Sequence, residues 1–291
     1  MSPCAAATIG VFLLITPALS WAETIQLRLC TGSGDGNYFA VGEEIKRQVA
    51  RNSLDVQVIE TAGSMDNMQR MAEGECDAGI AQIDAYLHYQ ASNPESRLEV
   101  EWPRHLYEEY LHLICRRDTG SAGILDLADL AGPLSLMTGA PGSGSALTWD
   151  SITRLNPRYL VVETTNADNA AALASVADGA ASCLMVVSGM NSGFLELVDK
   201  SGDQLRLLTV DDQAILEAQH FGKPIYMFRQ IPKDTYPGLQ GPSGEPVQTL
   251  AVRAVMLISS SWAGEQTLGY GTLVDGLERA APIIRDRVAS E

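Results

Sequence analysis

The sequence predicts an α/β fold of two similar lobes, each a mainly parallel sheet flanked by helices, joined by two extended crossings. Three observations predict it. Short apolar or β-branched runs alternate with longer stretches of helical periodicity, the pattern of parallel β-α-β units. The order of these parts occurs twice along the chain. Two long extended segments, 110–116 and 248–258, stand where one half would hand over to the other and back.

Residues 1–22 carry no charged side chain, and their apolar run, 9–19, is shorter than the ~20 residues a bilayer span needs. They read as an export signal. Ser20-Trp21-Ala22 fits an A-x-A-like cleavage site, so the mature chain is expected to begin at Glu23 in the periplasm. No Lys or Arg precedes the apolar run, and Cys4 lies ahead of it, so no lipid-attachment cysteine follows.

The first unit is a strand at 25–30, a glycine-rich turn at 31–36, and a helix on which Tyr38, Val41, Ile45 and Val49 recur at helical spacing. A strand at 56–60, a turn at 61–63, a helix opened by Ser64 and a strand at 77–82 complete a β-α-β-α-β run. After the first crossing, a helical turn at 124–130 leads to a strand at 134–138, a glycine turn, a helix from Ser145, a strand at 159–163, a helix at 170–176 and a strand at 182–187. The parts repeat the first run. Gly74 and Gly179 each follow an acidic residue where a helix needs its C-terminal glycine. The Pro- and Gly-rich stretch 231–246 reads as a linker, and the last helix, 268–288, as a return to the first lobe. The expected division is 23–112 with 254–291 for the first lobe and 113–253 for the second.

With 36 acidic against 20 basic side chains, the net charge is −16, which repels nucleic acid and anionic lipid. The leader contributes no charge to that figure. Cys30, Cys76, Cys115 and Cys183 are scattered singly, without a C-x-x-C, and read as buried free thiols in a chain long enough to fold without staples. His88, His105, His112 and His220 show no metal-ligand spacing, so neither metal nor cofactor is expected. The chain is read as a monomer.

In open α/β sheets a ligand sits beyond the carboxyl ends of the strands. The small polar residues cluster there: Gly34, Asp35, Gly36, Asn37 and Tyr38 after the first strand, Gly63 and Ser64 after the second, and Gln82 at the end of the third. The second lobe adds Gly142, Ser143, Gly144, Ser145 and Ser188. Asn37, Ser64 and Ser145 read as N-caps of the helices that follow. Several helix N-termini aimed at one cleft offer unpaired N–H groups and positive dipole ends to a carboxylate, without an arginine. Neither glycine turn ends in Gly-Lys-Ser/Thr, and no serine sits in G-x-S-x-G, which argues against a nucleotide hydrolase or a serine hydrolase. Glu60 closes the second strand where a dinucleotide-binding fold has its ribose acceptor, so an exported oxidoreductase is the enzymatic alternative.

The segments Thr31-Gly32-Ser33-Gly34-Asp35-Gly36-Asn37-Tyr38, Thr61-Ala62-Gly63-Ser64-Met65-Asp66-Asn67, Gly74-Glu75-Cys76-Asp77-Ala78-Gly79-Ile80-Ala81-Gln82 and Gly139-Ala140-Pro141-Gly142-Ser143-Gly144-Ser145 resemble, in order and spacing, the TAXI class of TRAP transporter solute receptors. Thr235-Tyr236-Pro237-Gly238 is similar to that family's late signature. The resemblance implies a type II periplasmic-binding-protein fold, an ion-coupled TRAP-type permease as partner, and a glutamate- or glutamine-like amino acid or a dicarboxylate as ligand. Two departures, Asp35 in the first loop and Ile83 in place of a serine, weigh against a simple dianion. Asp35 is then placed to face the ammonium of an amino acid whose carboxylate takes the helix N-termini. A sensing receptor without a transporter fits the same residues.

Overall fold

The computed structural model describes residues 24–34, 36–50, 54–95, 98–101, 104–129, 134–190, 192–201 and 204–288. The expected leader and its cleavage after Ala22 lie outside them, as does Asp35.

The chain builds β1 (Ile25–Cys30), α1 (Asn37–Val49), β2 (Leu54–Ile59), α2 (Ser64–Ala72) and β3 (Ala78–Gln82), the first run as expected. α3 (Ile83–Ser92) follows without a break and leads to the first crossing strand, β4 (Arg104–Arg116). The second run is β5 (Ser135–Met137), α4 (Gly144–Leu155), β6 (Glu163–Thr165), α5 (Asn169–Ala177) and β7 (Cys183–Ser188). After it come α6 (Gly193–Lys200), β8 (Leu205–Leu207), α7 (Gln213–Leu216), a hairpin of β9 (Gln219–His220) and β10 (Lys223–Pro224), β11 (Tyr226–Ile231) and α8 (Pro237–Gln240). The second crossing strand, β12 (Val247–Ile258), precedes α9 (Ser260–Glu265) and α10 (Thr267–Val288).

The two halves share one strand plan. The first reads β2-β1-β3-β12-β4 and the second β6-β5-β7-β4, with β8 on the far side of β4. In each, three parallel strands accept a long antiparallel strand that also serves the other half. Tyr110 marks the handover in β4, because it pairs with Ala251 of β12 and with Ser188 of β7. Beyond that point β12 changes partners too, from β3 to β11. Both predicted crossings therefore exist and lie side by side.

Alternation and helical spacing fix the cores. Leu27 and Leu29 point from β1 onto Val41 and Ile45 of α1, and Leu273, Leu277 and Ile284 of α10 join the same cluster. Gly276 lets α10 approach closely, since a Cβ there would fall within 2.3 Å of Val49. The last helix thus packs against α1 and β1.

Three expectations need correction. The segment read as a strand at 159–163 is a 3₁₀ turn, Pro157–Val161, followed by the short β6. Proline at the start and the Asn156 side chain, which accepts from the Arg158 N–H at 3.3 Å, nucleate a turn that the apolar run Tyr159-Leu160-Val161 disguises. Buried Tyr159 then donates to Asp212 at 2.6 Å. The cysteines are not free thiols: Cys30 pairs with Cys76 and Cys115 with Cys183. The sheet brings β1 beside the residues that enter β3, and β4 beside the start of β7, so residues 46 and 68 positions apart meet with Cα atoms 6.0 and 4.0 Å apart. The helix caps, third, sit one or two residues from the expected serines and asparagine.

Candidate functional site

A cavity of about 370 Å³ opens between the lobes at the carboxyl ends of β1, β2, β3 and β7. Buried amides set its loops. Asn67 donates to the carbonyls of Thr31 at 2.6 Å and Ile80 at 2.7 Å, and its Oδ1 lies 2.6 Å from the Thr61 hydroxyl. The ends of β1, β2 and β3 are therefore held to one side chain, which fixes where the following turns can go.

Six helices begin at the cavity wall, α1 to α6, each with its N-cap residue in the lining. Their caps differ from the expected ones. Gly36 and Gly63 cap α1 and α2 without a side chain, and Asn37 and Ser64 are first helical residues. Gly63 has φ 112°, a conformation glycine adopts without strain. The cap of α4 is Ser143, whose hydroxyl accepts from the Ala146 N–H at 3.3 Å. Ser145 accepts instead from the Val187 N–H at 2.9 Å, tying α4 to β7. A serine one or two residues into a helix offers the same sequence signal as the cap, and only the backbone decides between them. Asp168 caps α5 through the Ala171 N–H at 2.8 Å.

Of the expected residues, Gly36, Asn37, Tyr38, Gly63, Ser64, Gln82, Ser143, Gly144, Ser145 and Ser188 line the cavity together. Gly34 and Gly142 do not. The Gly34 N–H is turned onto Glu60 Oε1 at 2.6 Å, which also engages the residue read as a ribose acceptor. Gly142, with φ 75°, packs on Met65, whose N–H donates to its carbonyl at 3.3 Å. Asn37 Nδ2 donates across the cleft to Ser188 Oγ at 3.2 Å, so the two walls touch.

The floor holds a group the sequence did not announce. Glu109, on β4, is 4% exposed and accepts from Gln82 Nε2 at 2.9 Å, Tyr38 OH at 3.1 Å and Tyr107 OH at 3.2 Å. Burial outweighs those three donors and pushes its carboxyl up to about 7. The Gln82 side-chain oxygen Oε1 lies 3.2 Å from the Thr148 hydroxyl, which in turn stands 2.7 Å from Asp84. Tyr226 donates to the same Asp84 oxygen at 2.7 Å, and burial raises the Asp84 carboxyl as well. The polar chain links α3 and β3 of the first lobe to α4 and β11 of the second.

Thr61, Ala62, Asp168, Asn169, Ser192 and Phe194 also line the cavity. Asp168 carried a legible signal, an acidic residue just ahead of an alanine-rich helix. Glu109 carried only a weak one, the second of two adjacent carboxylates in a crossing strand that also carries Arg104, His105 and His112. Among the described lining residues there is no Lys, Arg or His, and the carboxyl groups are Glu109 and Asp168. Among the described residues no cluster could hold a metal ion. The wall thus offers backbone N–H groups and hydroxyls to an anion, and two carboxyls to a cation or a donor. The Thr-Tyr-Pro-Gly signature lies elsewhere: buried Tyr236 donates to the Met190 carbonyl at 2.7 Å and meets His112, and Gly238 sits against the Asp199 backbone.

Two mirrored lobes, paired crossing strands and a cleft at the strand ends define the two-lobed periplasmic-binding-protein fold. The chain belongs to the NMT1-like family, whose model matches residues 29–267. Solved structures share the fold at low identity. The alkanesulfonate-binding protein SsuA of Xanthomonas axonopodis pv. citri, bound to MOPS, is 16% identical with a TM-score of 0.52, over 89% of this chain and 74% of that one. The aliphatic sulphonate binding protein SsuA of Escherichia coli is 12% identical with a TM-score of 0.53, over 89% and 73%. A binding protein component of an ABC phosphonate transporter from Pseudomonas aeruginosa is 12% identical with a TM-score of 0.51, over 87% and 74%. No curated protein matches the sequence. No described helix is long and apolar enough to cross a membrane.

Proposed function

We propose that the chain is an exported, periplasmic solute receptor that captures a small carboxylate-bearing solute between lobes 23–112 with 254–291 and 113–253, and performs no chemistry on it. One observation carries the reading: six helix N-termini meet a cavity whose described lining has no cationic side chain but has two carboxyls. The N-termini supply N–H donors and positive dipole ends for the acid group. Glu109 and Asp168 then disfavour a second anionic group and favour an ammonium or amide, so a glutamate- or glutamine-like amino acid fits better than a dicarboxylate. In this reading the contacts come from Gly36, Asn37, Tyr38, Gly63, Ser64, Gln82, Ser143, Gly144, Ser145 and Ser188. Asp35 adds a third carboxylate to the loop sequence.

The membrane partner in this reading is a TRAP-type permease, supported by the likeness of the four loops to the TAXI class. The phosphonate-binding neighbour belongs to an ABC transporter, and uptake by reconstituted vesicles, driven by a sodium gradient or by ATP, separates the two partners. Thermal-shift screening tests the ligand class. A ligand at 100 times its dissociation constant stabilises the native state by about 2.7 kcal/mol. Glutamate or glutamine is expected to shift the transition. A shift with alkanesulfonates or phosphonates and none with any amino acid would overturn the carboxylate assignment.

A further inference from the structure

A second cavity, of about 490 Å³, lies on the reverse face of the two crossing strands. Strand alternation places it there. Arg253 is directly opposite Glu108, and Val255 opposite His105, so these four side chains share one face of the sheet. Glu109, one residue from Glu108, points to the other face and into the cleft. The hairpin of β9 and β10 folds over the pocket as its outer wall. Its turn residues Phe221 and Gly222 both take positive φ, 48° and 71°, and Phe221 is 81% exposed beside His220.

The charge of this pocket opposes that of the whole chain. Arg104, His105, His220, Lys223 and Arg253 line it, against the single described carboxylate Glu101, in a protein with 36 acidic and 20 basic side chains. Among the described residues neither Arg104 nor Arg253 forms an ion pair. Arg253 donates to the Pro224 carbonyl at 2.9 Å, a neutral acceptor, while Arg104, one residue from His105, donates to Tyr270 OH of α10 at 3.0 Å. The Arg253 guanidinium, half-buried and without an ion-pair partner among the described residues, attracts an anion more strongly than a fully solvated charge does. Beside it the lining is apolar, from Ile83, Tyr86, Ile225 and Val255. A small inorganic anion would leave that surface uncovered, whereas an acid with an aromatic or aliphatic body matches both parts.

We propose that this reverse-face pocket is a second ligand site, which binds a small amphiphilic carboxylate with its acid group on Arg253 and its apolar body against Ile225 and Val255. It is independent of the solute in the cleft.

The photoreactive aryl acid 4-benzoylbenzoate tests this on the full-length chain, with 4-benzoylbenzamide as the neutral control. Calorimetry is expected to show the acid binding at least tenfold more tightly than the amide. Irradiation followed by peptide mapping is expected to place the label within residues 83–86 or 219–225. Arg253→Gln should weaken the acid at least tenfold and leave the amide unchanged. Lys223→Gln, on the exposed hairpin, should weaken the acid severalfold, with circular dichroism confirming that the variant is folded. The proposal is overturned by the absence of measurable binding at millimolar acid, by equal affinity for acid and amide, or by a label in the cleft loops 143–145 or 186–188. Unchanged affinity in both variants overturns it as well.

Discussion

Replacing Glu109 by Gln keeps the shape of the side chain on the cleft floor and removes its charge. In the folded protein burial holds the carboxyl at about 7, while in the unfolded chain it titrates at the ordinary value of about 4.3. Between those values the native state keeps a proton that the unfolded chain has released, so stability falls as pH rises through the window and is level above it. The difference corresponds to about 4 kcal/mol at most. Glu109 is almost fully buried, so little solvent screening reduces it. The variant lacks this group and loses the slope. Urea denaturation of both proteins at pH 5 and pH 8 is the assay. Wild type minus variant is expected to become less favourable by about 2 to 3 kcal/mol on going to pH 8. An ammonium bound against Glu109 would hold it ionised, so ligand binding near pH 7 should release about half a proton. Calorimetry in buffers of different ionisation enthalpy reads that release. Parallel stability curves for the two proteins would refute the reasoning, because Glu109 would then titrate as an exposed carboxyl.

His112 behaves in the opposite sense: it is fully buried, and burial lowers its imidazole to about 4. The unfolded chain takes up the proton first as pH falls, so up to about 3 kcal/mol of stability is lost between pH 6.5 and 4. His112→Gln should flatten that limb in acid denaturation. Gly144→Val should abolish solute binding with the fold retained, because a Cβ there would meet Gln82 Oε1 at 2.5 Å and Gln82 is anchored on Glu109 and Thr148. Ser145→Ala leaves the Val187 N–H without its acceptor and should cost about 1 to 2 kcal/mol with only a severalfold loss of affinity; calorimetric titration and circular dichroism compare the two. Reduction of the disulfides should remove about 4 kcal/mol for each loop, of 46 and 68 residues, by the chain-entropy relation. Thiol alkylation of the unfolded, unreduced protein should find none of the four cysteines free.

What the sequence made legible was local. Period-two apolar runs and glycine turns announced β1, β3 and the cleft loops, because the backbone there follows from residues within a few positions. Gly144 was found the same way, although its closeness to Gln82 was not visible. Glu109 was missed for a physical reason: its donors come from Tyr38 and Gln82, 71 and 27 positions away, and only the pairing of β4 with β12 and of β12 with β3 brings them together. The cysteine pairs and the Asn67 tie depend on the same register. The caps failed differently. Ser143 and Ser145 carry the same hydroxyl, and which one accepts from the helix depends on where the backbone turns, a matter of one or two residues.

The central claim is that backbone N–H groups at the helix N-termini hold the solute's carboxylate. Titration of glutamine and of its α-carboxamide into the same wild-type sample tests it most directly, because the two differ only in the group those N–H donors would bind. Loss of the α-carboxylate should weaken binding at least a hundredfold. Equal affinity for the two would contradict it and remove the helix N-termini from the site.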